Sequence, residues 1–186
     1  MLKVADKYLS AVKFTAGLIA QVANLGEQLQ AVEVVSSSSH VIHVKHPDVA
    51  VKLSSCIQGN IMTLATDIQS KIENLKALRN QSQSLVTKVQ FQLDNNRDSD
   101  IRQLSLRTET QPSVTDIALW TETLYNLMNE DFESRLLLFA TWTPSNAKKV
   151  LDFCTQWSAT QILLHLLQIL GAIASFCSKN PESILL

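Results

Sequence analysis

A chain of 186 residues with a formal charge of −1 is long enough to bury one helical core without a disulfide or metal staple. The near-neutral balance excludes a nucleic-acid binder that works by bulk phosphate neutralisation, so no direct nucleic-acid partner is expected. The three cysteines, Cys56, Cys154 and Cys177, are odd in number and widely spaced, and they read as small core residues in a reducing compartment.

The N-terminal segment, Leu2 to about Val34, has helical period. Leu9, Val12, Ala16, Ile19, Val22, Leu25, Leu29 and Val32 fall three or four residues apart on one stripe. Gly17 and Gly26 each weaken it by about 1 kcal/mol relative to alanine. Lys3, Asp6 and Lys7 interrupt the start, so no signal peptide is expected and the protein is read as intracellular. The tetraserine Ser36–Ser39 is expected to end the helix, with a loop to His46.

Pro47 opens the longest element. Ile57, Ile61, Leu64, Ile68, Ile72, Leu75, Leu78, Leu85, Val89 and Leu93 keep a three-four spacing, with no proline inside. Such a helix runs about 70 Å at 1.5 Å per residue, unless it breaks near Gly59. The connecting loop is too short for much besides an antiparallel, coiled-coil-like hairpin over residues 1–94, with Ile68 and Leu75 in its core. Residues 95–112 read as a polar linker.

The C-terminal helical region, 113–178, holds all three tryptophans. Ser113 and Asp116 form the two ends of a capping box behind Pro112. A helix to about Thr141 follows, and Pro144 suits the first position of the next, which ends at about Trp157. Trp120 is placed on a stripe with Ile117, Leu124 and Leu127. The third helix, Ala159 to about Cys177, carries no charge over nineteen residues and raises a membrane tail anchor as an alternative. Gln161, His165 and Gln168 oppose lipid burial, so a membrane partner is not expected. Residues 179–186 are a tail. The fold class is all-α: a long helical hairpin plus two or three C-terminal helices.

No pattern of residues calls for chemistry. His40, His43 and His46 have a metal-like spacing, but they sit in a serine-rich loop with no cysteine nearby in sequence, and solvated imidazoles fit better. Cys154 and His165 lack an orienting carboxylate or oxyanion hole by motif, which leaves the nucleophile–base pair without support. Glu130, Asp131, Glu133 and Arg135 read as a solvated face with weak local pairs. No catalytic residue, cofactor site or metal site is therefore expected. Function falls to binding surfaces, with Trp120, Trp142, Trp157 and Leu151 as candidate partner contacts. Trp157 is expected to be an exposed anchor, so that Trp157→Ala weakens binding while leaving melting nearly unchanged.

Five segments in order, LGEQLQAV (25–32), HPDVAVKL (46–53), NIMTLATDIQSKIENLKALRN (60–80), QPSVTDIALW (111–120) and the helix ending at Trp157, resemble the AFG-two-interacting ribosome maturation factor family. The resemblance covers about Leu9 to Trp157. It implies a non-catalytic adaptor in a complex with Cdc48-like AAA+ ATPase subunits and a second small helical subunit, the cyclin-dependent-kinase-two-interacting protein. It further implies roles in large ribosomal subunit maturation and replisome protein turnover, in nucleus and cytoplasm. The chain departs from the family in an uncharged last helix and a more acidic helix after Ser113. From the residues alone, the three-four spacing supports equally a coiled-coil subunit of a tethering or cytoskeletal assembly.

Overall fold

Helix α1 (Leu2–Ser37) buries Ala5, Tyr8, Val12, Thr15, Ile19, Val22, Gly26 and Leu29. Those positions alternate by three and four, a seven-residue repeat that keeps one seam facing its neighbours. The expected stripe is therefore right in period and displaced at two places, where Gly26 holds the seam beside a half-buried Leu25 and Thr15 holds it beside Ala16. Ala16 is exposed, and Thr15 holds the seam with its hydroxyl donated to the Ala11 carbonyl at 2.8 Å. That local bond satisfies a polar group that composition alone would keep out of the core.

The computed structural model describes residues 1–37, 41–95, 106, 112–158, 167–171, 173 and 175. After α1 come α2 (Val41–Lys45), α3 (Pro47–Asn95), α4 (Val114–Thr141) and α5 (Ala147–Ser158). Residues 167–171 are also helical, and no strand occurs among the described residues. The protein is all-α.

One of three expectations needs correcting. Helix α1 is helical to Ser37, inside the tetraserine expected to end it, and the Ser36 and Ser37 hydroxyls donate back to the Val32 and Val34 carbonyls. The correction falls at Val41–Lys45, which is a helical turn rather than loop. As its period led one to expect, α3 runs 49 residues, about 74 Å at the ideal rise, and the alternative break near Gly59 does not occur. An exposed helical glycine lowers stability locally, but it does not end a helix whose opposite face is packed.

Two compact units draw on these helices. In the first, Met1–Ser10 lies with Leu75–Glu133 and the described part of Gln161–Leu186. The Ser82 hydroxyl meets Met1 Sδ at 3.5 Å, which sets the start of α1 beside the second half of α3. Helix α4 buries Leu124, Met128 and Phe132 here. Its start is the expected capping box: Ser113 N–H donates to Asp116 Oδ2, and Asp116 N–H donates to Ser113 Oγ, both at 3.0 Å. The expected stripe with Ile117 and Leu127 is displaced. Ile117 is exposed and Leu127 half-buried, and the buried set is Thr121, Leu124, Met128, Asp131 and Phe132.

The second unit comprises Ala11–Asn74 and Ser134–Thr160. Lys71 Nζ sits 4.6 Å from the centre of the Phe14 ring. At the other end, Val32 and Ser36 face Ala50 and Ser54. As α1 residue numbers rise, those of their α3 neighbours fall, so the two long helices form the expected antiparallel hairpin. Ile68 in this unit and Leu75 in the first are fully buried, as their period required.

Helix α5 lies antiparallel on α1. Cys154 Sγ is 3.6 Å from the Ile19 carbonyl, Val150 and Leu151 approach Gly26, and Ala147 N–H donates to Glu33 Oε1 at 3.3 Å. The helix starts later than expected. Asn146 caps it through Oδ1 on Lys149 N–H at 3.0 Å, and Pro144 lies in the connection. Asn146 competes well for that role because its side chain satisfies an amide that would otherwise have no partner in the helix.

Candidate partner-binding surfaces

The tryptophans do not act as one group. Trp120 is half-buried in the first unit. Trp142 and Trp157 belong to the second and are joined through Phe153. The Trp142 and Phe153 rings stack at 4.2 Å with 12° between planes, and Phe153 meets Trp157 at 5.6 Å. Phe139 extends the row, 6.0 Å from Trp142. The sequence shows Trp142 and Trp157 as corner residues. It gives no sign of Phe153 between them, beyond its place one turn before Trp157.

Trp157 is 3% exposed, against the expectation of an exposed anchor. Its ring lies under the Arg135 guanidinium at 5.0 Å, on the face of α5 that also buries Val150, Phe153 and Cys154. The four positions 150, 153, 154 and 157 share one helical face, so a core role was in the period all along. Leu151 is half-buried on the neighbouring flank, with Cδ2 3.2 Å from where a Cβ on Gly26 would stand. Trp142 is also half-buried, and its Nε1 is buried with no hydrogen-bond partner among the described residues.

The acidic cluster divides. Glu130 is exposed, as expected of a solvated face, but Asp131 and Arg135 are 1% and 3% exposed. The Tyr8 hydroxyl, itself fully buried, donates to Asp131 Oδ2 at 2.9 Å and approaches the Met128 carbonyl at 3.2 Å. Glu133 pairs with Arg79 at 3.0 Å, while that guanidinium covers the Phe132 ring at 5.0 Å. A buried charge is tolerated only when hydrogen-bonded or paired, and these are partners brought from distant parts of the chain.

Burial pushes the Cys154 thiol up to about 11, far from the thiolate form a nucleophile needs at neutral pH. His165 and His40 lie outside the described residues, as does the His43 side chain; His46 is exposed. Most of the linker, including Ser99 and Ser105, also lies outside them. Among the described residues no helix is long and apolar enough to cross a membrane. The apolar segment Ala159–Cys177 is described only in part, and there Leu170 and Ile173 are buried.

Exposed large apolar side chains are spread over the described residues, Phe14, Phe91, Leu119 and Leu137 among them. Six more, Val34, Val41, Val44, Val49, Val51 and Leu53, each between 47% and 68% exposed, fall from the end of α1 to the first turns of α3. A local concentration of exposed apolar side chains is a candidate interaction site. Sequence reasoning did not single these residues out, because Val41 and Val44 fell in an expected loop and the other four in expected helices.

Long helices packed antiparallel, with no strand among the described residues, define an all-α protein. A family model described as ribosome biogenesis protein C1orf109-like matches residues 4–169. The chain belongs to that family, the AFG-two-interacting ribosome maturation factor family, and has a role in ribosome biogenesis. No curated protein matches it.

Proposed function

We propose that the chain is a non-catalytic adaptor subunit. It joins Cdc48-like AAA+ ATPase subunits and a second small helical subunit resembling the cyclin-dependent-kinase-two-interacting protein. In this reading it works in nucleus and cytoplasm, in maturation of the large ribosomal subunit and in replisome protein turnover. The observation that carries it is the combination of a ribosome-biogenesis family with two long helices whose connection exposes six aliphatic side chains, from Val34 to Leu53. An adaptor needs a stiff body and localised docking surface, and it needs no reactive group. Burial of the Cys154 thiol fits that reading. The test is a native pull-down of the tagged full chain, with the stably bound proteins identified. Recovery of AAA+ subunits and the helical partner in comparable amounts supports the proposal; recovery of the chain alone opposes it.

The alternative, a coiled-coil subunit of a tethering or cytoskeletal assembly, draws on the seven-residue seam of α1. The same pull-down separates the two, because a tethering subunit brings coiled-coil partners and no ATPase.

A further inference from the structure

The connection between α4 and α5 carries a Thr-Pro pair. Of the four prolines in the chain, Pro144 alone follows a serine or threonine. Thr143, the residue before it, is exposed and lies outside both helices. A residue that precedes proline is held out of the helical region, so Thr143 presents an extended backbone. Its hydroxyl is also uncommitted where its neighbours' are not. Thr141 and Thr155, in the flanking helices, each donate to the carbonyl four residues back at 2.9 Å, the usual fate of a helical threonine. Thr143 Oγ1 instead accepts from Lys149 Nζ at 3.5 Å. A tight turn, in which the Ser145 N–H donates to the Thr143 carbonyl at 2.8 Å, brings the start of α5 round to it.

We propose that Thr143 is a phosphorylation site for a proline-directed protein kinase, and that the phosphate pairs with Lys149 at the start of α5. Such a kinase recognises a hydroxyl followed by a residue with no N–H, which is the chemistry of Thr143 and Pro144. In the transfer, Oγ1 bonds to the γ-phosphorus of ATP and the bond from that phosphorus to the β–γ bridging oxygen breaks. ADP leaves with the electron pair, and the hydroxyl proton passes to a base of the kinase. The product carries a charge of about −1.5 to −2 at neutral pH and three strong acceptor oxygens. The first turn of α5 suits it, with Lys148 and Lys149 and no acidic residue. Both lysines are exposed, and neither has a carboxylate partner among the described residues. Glu33 is the carboxylate held at this end of α5, where it accepts the Ala147 N–H at 3.3 Å. Two cations and the positive end of the helix outweigh that one carboxylate. The site goes beyond the adaptor reading and stands without it.

The test uses the purified full chain with magnesium, ATP and a proline-directed kinase, read by intact mass and fragment mapping. One phosphate on Thr143 is expected, kept in Thr143→Ser and lost in Thr143→Ala and in Pro144→Ala. A kinase that modifies a peptide of residues 138–149 but leaves the folded chain untouched overturns the site, as does phosphate found only at other residues. The phosphorylated chain should melt about 2–4 °C above the unmodified one at low salt, and the gap should shrink at high salt. Lys149→Gln should still take up the phosphate and lose most of that gain. No gain at all, or a gain that survives Lys149→Gln, overturns the pairing. The chain isolated with phosphatases inhibited from cells that express it should carry the same mark. Its absence from every preparation, dividing and arrested cells alike, overturns the assignment.

Discussion

Gly26 and Gly17 sit nine residues apart on α1, yet opposite outcomes are expected on changing them. A Cβ at Gly17 meets nothing within 4 Å, so Gly17→Ala should stabilise the protein by roughly 0.5–1 kcal/mol through helix propensity. A Cβ at Gly26 falls 2.9 Å from Val150 Cγ1 and 3.2 Å from Leu151 Cδ2. Val150 is fully buried and β-branched, so it cannot rotate away, and Gly26→Ala should lower the melting temperature despite the same propensity gain. Two thermal melts decide this; a stabilising Gly26→Ala would show that α5 does not press on α1. As a sequence, each glycine is only a weak point in a helix. The difference comes from a helix more than 120 residues away.

Cys154 offers a pH test. Its ordinary value is 9.0, and burial raises it to about 11 in the folded chain. Below 9 the thiol is protonated in both states and contributes no pH dependence. Between 9 and 11 the unfolded chain loses the proton first, so stability should fall with rising pH across that window, and Cys154→Ser should flatten the fall. Mass mapping after brief alkylation at neutral pH should find exposed Cys56 labelled and Cys154 nearly untouched. Rapid labelling of Cys154 would contradict its burial. Trp157→Ala should cost about 3–5 kcal/mol in denaturant unfolding, because it empties a packed site and leaves Arg135 without its aromatic cover. A loss below about 1 kcal/mol would return Trp157 to the surface role its position first suggested.

Among the elements, legibility followed period. The hairpin was readable because each long helix repeats its apolar positions every three or four residues, a signal that survives one substitution such as Thr15 for Ala16. The Ser113–Asp116 cap was readable because both partners lie within one turn. The start of α5 was misjudged because Pro144 and Asn146 are both plausible punctuation, and the choice depends on Glu33 reaching the Ala147 amide. The charge cluster was unreadable for the same reason: Tyr8, the partner of Asp131, is 123 residues away. Residue type says a charge prefers water; only the fold says whether a partner has been brought to it. At this scale the seam itself is testable. Leu75 is fully buried in α3, and Leu75→Ala should cost about 2–5 kcal/mol in urea unfolding. A cost under half a kcal/mol would mean that the seam at this level holds little together.

Taken unit by unit, the large side chains fill the seams between helices, while six aliphatic ones, from Val34 to Leu53, stay exposed where α1 gives way to α3. Exposed aliphatic surface of this kind suits a protein that binds other proteins, and the family is one concerned with ribosome biogenesis. That exposure could not be read from the sequence, because six exposed aliphatics look the same on paper as six buried ones. The adaptor role is tested most directly by reconstitution. The purified full chain is mixed with purified Cdc48-like AAA+ ATPase subunits and the second helical subunit, and the mixture is sedimented. Migration of all components in one boundary, with the chain at fixed stoichiometry, is the predicted result; a chain that sediments alone at every concentration tried would contradict the account.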